Sequence, residues 1–295
     1  MKNKRRLFFV LLCYPIWSWT VGAQDIEAVL AKESASAPTG YVMSTFKATR
    51  ISIGHAVETR KKGALEVSFM SRYWNTPQPT SNDFIADRMS ARFGVDYAIS
   101  DKFTVGVGAA VPSGIWDTFF KYRILQQKID NSGSPVALTF VQTGTYRSTQ
   151  LNGIERRDDF MDRTAFTTQL LIARKISSNF SLQLAPSFVY RSSVQNPAND
   201  QSQFALGFGG RYKVSNHVSV VSEYYYVPQQ LSSIATFGAF SLGANWEVGN
   251  IMLQFKMTNN PFFTEDTFIT QTRRNFNFRD GNFFFGFQGT YFIQL

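Results

Sequence analysis

The chain has 295 residues, with 30 Lys and Arg against 21 Asp and Glu for a formal charge of +9, and it carries 29 Phe, 12 Tyr and a single cysteine. Four of the basic residues, Lys2, Lys4, Arg5 and Arg6, crowd the N-terminus, and +9 less these four leaves +5 for the remainder. That charge is too mild to argue for nucleic acid without a basic-plus-aromatic recognition motif, and one cysteine excludes a disulfide framework or a thiolate metal site.

In chain order, the basic n-region is followed by an apolar run from Leu7 to Trp19 and by Val21-Gly22-Ala23 ahead of Gln24, which reads as a cleaved secretory signal over residues 1–23. The apolar run is shorter than the roughly 18 residues a spanning helix needs. Cys13 follows Val10-Leu11-Leu12, which lacks the small residues expected before a lipidated cysteine, so the mature chain is read as cysteine-free. Residues 24–61 form an N-terminal periplasmic or lumen-inserted segment: Asp25 to Lys32 suits a short helix, and 33–39 (ESASAPT) a linker. Phe46 to Thr59 (FKATRISIGHAVET) is half β-like. It is the candidate to enter a lumen or to add a strand over 46–57.

From 62 to 295 the sequence alternates. Twelve segments follow period two, roughly 63–74, 87–99, 102–111, 115–124, 135–146, 163–176, 179–191, 202–213, 217–227, 238–248, 250–259 and 283–295. In the second, Met89, Ala91, Phe93, Val95, Tyr97 and Ile99 share one face, and Arg88, Ser90, Arg92, Gly94, Asp96 and Ala98 the other. Tight connections such as Ser100-Asp101, Ser177-Ser178 and Gly249-Asn250 alternate with long ones at 75–86, 147–162, 192–201, 228–237 and 260–282. Short turns on one rim and long loops on the other belong to outer-membrane barrels, with the turns in the periplasm. Pro112-Ser113-Gly114 and the ten residues 125–134 are the exceptions. The last segment, FFFGFQGTYFIQL, puts Phe283, Phe285, Phe287, Tyr291, Ile293 and Leu295 on one face, as strands closing such barrels do. Alternation also explains a mean hydropathy of only −0.16. Aromatic residues at strand ends, Tyr73, Trp74, Tyr190 and Tyr226 on one rim and Tyr97, Tyr212 and Trp246 on the other, suit interfacial girdles.

The runs TFKATRISIGHAVETRKKGALEVSFMSRYW (45–74), RFGVDYAISDKFTVGVG (92–108), FFKYRIL (119–125), PVALTF (135–140), TQLLIARKISSNFSLQLAPSFVYR (168–191) and FALGFGGRYKVSNHVSVVSEYYYV (204–227) resemble an outer-membrane β-barrel family catalogued as "domain of unknown function 5777". TNNPFFTEDTFIT (258–270) is similar to that family's corresponding segment, with more aromatics. The resemblance implies the fold and carries no activity with it.

Catalysis has little to stand on. His55 precedes the first strand and His217 follows a tight turn, away from the outer wall where a barrel hydrolase would hold its Ser–His pair. No His, Asp or Glu cluster has metal-ligand spacing, and no cofactor is expected. Alternation instead turns charge inward, and Arg88, Arg92, Asp96, Lys121, Arg123, Arg211, Lys213 and Glu223 are the pore-lining candidates, cations outnumbering carboxylates. Cross-strand pairing on a solvated wall accounts for such residues, and so does a lumen that concentrates anions. Arginine on the inward face, at Ser90 or Gln183, should then be tolerated better than at the lipid-facing Phe93 or Leu184. Gly106, Gly108, Ala110, Gly207, Gly209 and Gly243 leave room on the same face for bending or for an inserted segment. The expectation is a monomeric, non-enzymatic, all-β antiparallel up-and-down barrel of about twelve strands in the bacterial outer membrane, contacting outer-membrane lipid. It would act as a passive channel or binding pore for small polar solutes, anions among them. The alternative is a non-conducting barrel filled by its own segment and loops, a scaffold whose Phe-rich loop 260–282 binds something outside.

Overall fold

Period-two alternation becomes twelve strands because most residues placed outward are apolar and most placed inward are small or polar. The computed structural model describes residues 40–42, 44–75, 86–129, 133–148, 159–194, 196, 198–277 and 283–295. The strands are β1 Ala64–Trp74, β2 Arg88–Ser100, β3 Phe103–Val111, β4 Ile115–Leu125, β5 Ala137–Arg147, β6 Thr164–Lys175, β7 Phe180–Arg191, β8 Ser202–Lys213, β9 Val218–Tyr226, β10 Ala239–Val248, β11 Ile251–Thr258 and β12 Phe284–Gln294. Each pairs antiparallel with its sequence neighbours, and β1 pairs with β12 from Ala64↔Gln294 to Tyr73↔Phe285, so the sheet closes without an edge. Closure satisfies every strand's backbone donors and acceptors, which hydrocarbon would otherwise leave unpaired. At 8–13 residues, the strands have the length of spanning elements.

The faces divide as the alternation requires, except that on β2 the small outward Ala91 is buried and Arg88, at the rim, is exposed. On β2, Met89, Phe93, Val95, Tyr97 and Ile99 are exposed while Ser90, Arg92, Gly94, Asp96 and Ala98 are buried. Outward aromatics meet across strands, as in Phe69 with Phe93 at 5.1 Å and Phe188 with Phe204 at 4.9 Å between ring centroids. Gly249 takes φ 59°, the left-handed conformation that its tight turn needs and glycine adopts without strain.

The N-terminal segment does not become a thirteenth strand. Residues 45–57 are folded as an irregular hairpin, closed by Ile51 N–H to Gly54 O (3.0 Å) and Ala56 N–H to Thr49 O (2.9 Å), and they pack on inward-facing wall residues. The wall had no vacancy for them once β1 had paired with both β2 and β12. Just before the hairpin, Val42 N–H donates to Gln127 O and Ile129 N–H to Gly40 O, which explains why the connection after β4 is long on the rim where the others are tight. That connection is a dock for residues 40–42.

A second correction concerns the loop after β11, expected to present its phenylalanines outward. Residues 264–270 are buried throughout and carry a single short helix, α1 (Glu265–Thr270). Phe263 and Phe268 are buried too, the latter edge-on to Tyr225 of β9 at 5.3 Å. Aromatic density here fills the barrel mouth. The signal, helix and linker expected over residues 1–39 lie outside the described residues, as do most of 75–86 and 147–162.

Candidate functional site

The interior holds the chemistry, and it is built from wall side chains aimed at the backbone of the inserted hairpin. Glu223 on β9 accepts three consecutive amides, from Ser52 (2.8 Å), Ile53 (2.6 Å) and Gly54 (3.2 Å). Successive N–H groups converging on one carboxylate form an anion nest, with the protein's own side chain as the anion. Gln254 of β11 donates to Ile51 O at 2.8 Å, and Lys256 donates to Ser52 O and to Gln288 Oε1. Across the lumen, Gln183 on β7 accepts from Val57 N–H and donates to His55 O, both at 2.7 Å. Thr139 donates to Val57 O, and Lys121 to Ala56 O and Thr49 O. Such partners let a segment with few hydrogen bonds of its own stay dry, since orphaned buried backbone groups are costly.

Apolar contacts complement the polar ones. Phe46, Ile51, Ala56 and Val57 pack on Val141, Leu171, Ala173, Ala185 and Val221, inward residues that a water-filled pore would leave wet. Burying one such side chain is worth about 1.5–3 kcal/mol. The hairpin tip is shaped to its site: a Cβ on Gly54 would fall 1.8 Å from the Tyr225 hydroxyl, and one on Gly209 2.6 Å from Ile51 Cδ1.

The two insertions meet. Arg50 of the hairpin donates to Glu265 of α1 at 2.7 Å, and His55 Nε2 lies 3.3 Å from the same oxygen without hydrogen-bond alignment, leaving both ring nitrogens unbonded. Burial, then the charge of Arg50, holds the His55 imidazole well below its usual range, so it is neutral at pH 7.

The eight charged candidates separate by level. Arg92, 1% exposed, makes a bidentate pair with Asp117 (Nε–Oδ2 2.8 Å, Nη2–Oδ1 2.5 Å) and lies over Gly108, where a Cβ would collide with it. Asp96 accepts the Thr49 hydroxyl at 2.7 Å, and Lys121 and Glu223 hold the hairpin as described. Arg123, half-buried, reaches Thr59 O at 3.1 Å, and Arg211 approaches Glu247 at 3.6 Å. Lys213 is half-buried at the short-turn rim, and Arg88 is exposed at the long-loop rim. Alternation placed Gln183 inward but marked none of the neutral residues Gln183, Gln254 and Thr139 as an anchor. A polar amide facing inward carries no charge signal, yet it supplies both a donor and an acceptor.

Above the hairpin, at the long-loop rim, a cleft is lined by Arg147 at the end of β5, Arg163 before β6, Arg191 at the end of β7 and Arg273 after α1, with Asp266 beside them. Arg191 donates to Gln203 Oε1 (2.9 Å), Asp266 O (3.2 Å) and Thr270 Oγ1, so the cleft and α1 share a clamp.

The sequence profile described as "Membrane bound beta barrel domain (DUF5777)" matches residues 46–292. No curated protein sequence matches the chain. Among solved structures, an outer-membrane channel from Pseudomonas putida F1 is similar at TM-score 0.50 and 11% identity, covering 84% of this chain and 100% of that one. The KdgM porin is similar at TM-score 0.48 and 9% identity, over 77% and 98% of the two chains. Omp33 of Acinetobacter baumannii stands at TM-score 0.42 and 9% identity, over 79% and 99%. At such identities the likeness to the first is one of fold.

Proposed function

The chain belongs to the membrane-bound β-barrel family catalogued as domain of unknown function 5777, and we propose that this member is a monomeric outer-membrane channel for small polar solutes, closed in this conformation by its own residues 44–60. The observation that supports closure is the dryness of the inward charges at mid-barrel. Lys121, Glu223 and Lys256 are 0%, 2% and 3% exposed, each bonded to the hairpin backbone instead of water. Charged and amide groups on a wall are expensive to bury and natural in a wet one. A lumen so lined is suited to water once the hairpin withdraws, and withdrawal exchanges its hydrogen bonds for hydration. Continuity of the segment with the short-turn rim gives it a route out through the periplasmic side.

A second reading draws on the inward Val141, Leu171, Ala173, Ala185 and Val221, which favour a hairpin that never leaves and a barrel that serves as a scaffold. Planar-bilayer conductance separates the two. The mature chain should conduct poorly, whereas deletion of 44–60 or Glu223→Ala should raise the conductance or the open probability. Barrels that stay closed in all three forms would overturn the channel and leave the scaffold.

A further inference from the structure

We propose that the cleft at the long-loop mouth is a binding site for a small multivalent oxyanion, a solute carrying two or more carboxylate or phosphate groups. Arg147, Arg163, Arg191 and Arg273 set four guanidinium groups around it against the single carboxylate of Asp266, among the described residues. Each guanidinium presents a planar fork of donors matched to carboxylate or phosphate oxygens, and four around one concavity suit a ligand of more than one charge. Thr145 and Thr164 from the wall and Asn199 and Ser233 from the loops add neutral hydrogen-bonding groups.

The cleft is built rather than incidental. Its loops are tied together by Asn199 Nδ2 to Ser233 Oγ (2.7 Å) and by the Thr164 and Ser192 hydroxyls at 2.9 Å. Ser193 Oγ donates to Asp162 O at 2.5 Å beside Arg163. Through Arg191 the site touches α1, which in turn is paired to the hairpin by Arg50 and Glu265. A ligand that draws on Arg191 would therefore act on the far end of the same contact chain that holds the lumen shut. The site's role as the entry of a channel rests on the function proposed above, whereas binding does not.

Calorimetric titration of the full mature protein in zwitterionic detergent with citrate and with pyrophosphate tests binding without requiring the pore to open. Saturable binding is expected at about 50 mM salt, weakening as salt screens the cleft. Arg163→Gln with Arg273→Gln should weaken it at least about tenfold, the scale of losing charge-assisted hydrogen bonds. Lys62→Gln with Lys102→Gln, the same change in charge on exposed residues at the opposite rim, should leave it unchanged. If the double variant does not fold, Arg273→Gln alone, on an exposed residue, carries the comparison. Absence of saturable binding, or equal weakening by Lys62→Gln with Lys102→Gln, would overturn the site. Vesicles of phosphatidylcholine with and without lipid A distinguish the source of the oxyanion: binding to lipid A alone, with none to citrate or pyrophosphate, would make the cleft a lipid contact and sink the solute. Loss of anion binding in variants whose hairpin deletion still opens the pore would leave the channel standing without the site.

Discussion

Glu223 is the residue whose removal has the most definite local consequence. Its carboxylate accepts the amides of Ser52, Ile53 and Gly54, so Glu223→Ala orphans a row of donors, each costing about 1–3 kcal/mol if the segment stays buried. The hairpin tip should therefore detach, and the measured loss in urea unfolding should stop near the cost of hydrating it. On the lipid side the balance differs, because nothing there can solvate a charge. Phe93 is 58% exposed on β2, and Phe93→Arg should cost about 2–4 kcal/mol near the bilayer midplane, read from the urea midpoint of protein refolded in vesicles. Gln183→Arg, expected from alternation alone to be tolerated better than Phe93→Arg, should also destabilise the protein, since Gln183 bridges Val57 N–H and His55 O. An arginine there has no acceptor to offer the amide. Folding yields equal to the parent's would remove Gln183 as an anchor.

The strands were legible as elements because period two is written into each of them, and their ends fall within about two residues of the expected ones. The hairpin was half legible: Phe46 to Thr59 had β-like character, and Gly209 left the space that Ile51 occupies. Its place in the lumen was not written locally, since its partners lie on β4, β5, β7, β9 and β11, far away in sequence. The α1 insertion was misread for a physical reason. Phe263 and Phe268 in a long connection look like exposed aromatics unless the Tyr225 edge and the Arg72 guanidinium they pack on are known. Inward Val141 and Leu171 were the unread clue, because an apolar patch inside a barrel implies something to cover it. The inserted segment offers trypsin Lys47, Arg50 and Arg60. With the hairpin seated, cleavage after the buried Arg50 should be slow, and Glu223→Ala should accelerate it at least several-fold, followed by mass spectrometry of the fragments. Rapid cutting after Arg50 in the parent protein would place the segment outside the lumen.

At the scale of the whole molecule, the barrel's two rims differ in the length of their connections, and that difference predicts an orientation. One rim carries the tight connections at 101–102, 176–179, 214–217 and 249–250 together with the entry of residues 40–42. The other carries the long connections, α1 and the arginine-lined cleft. Outward Tyr97, Tyr212 and Trp246 near the first rim, and Trp116, Tyr190 and Tyr226 near the second, give both interfaces an aromatic border, which fixes depth but not direction. Direction follows from assembly: long loops fold after crossing, whereas short turns need only remain behind in the periplasm. The only cysteine, Cys13, lies in the segment read as a cleaved signal, so single cysteines report position without background. In intact cells a membrane-impermeant maleimide should label Ser232→Cys, exposed on the long-loop rim, and should label Ser177→Cys or Ser215→Cys only after the outer membrane is permeabilised. Labelling of Ser177→Cys in intact cells, with Ser232→Cys protected, would invert the barrel, turn the arginine cleft toward the periplasm and place the hairpin's exit outside the cell.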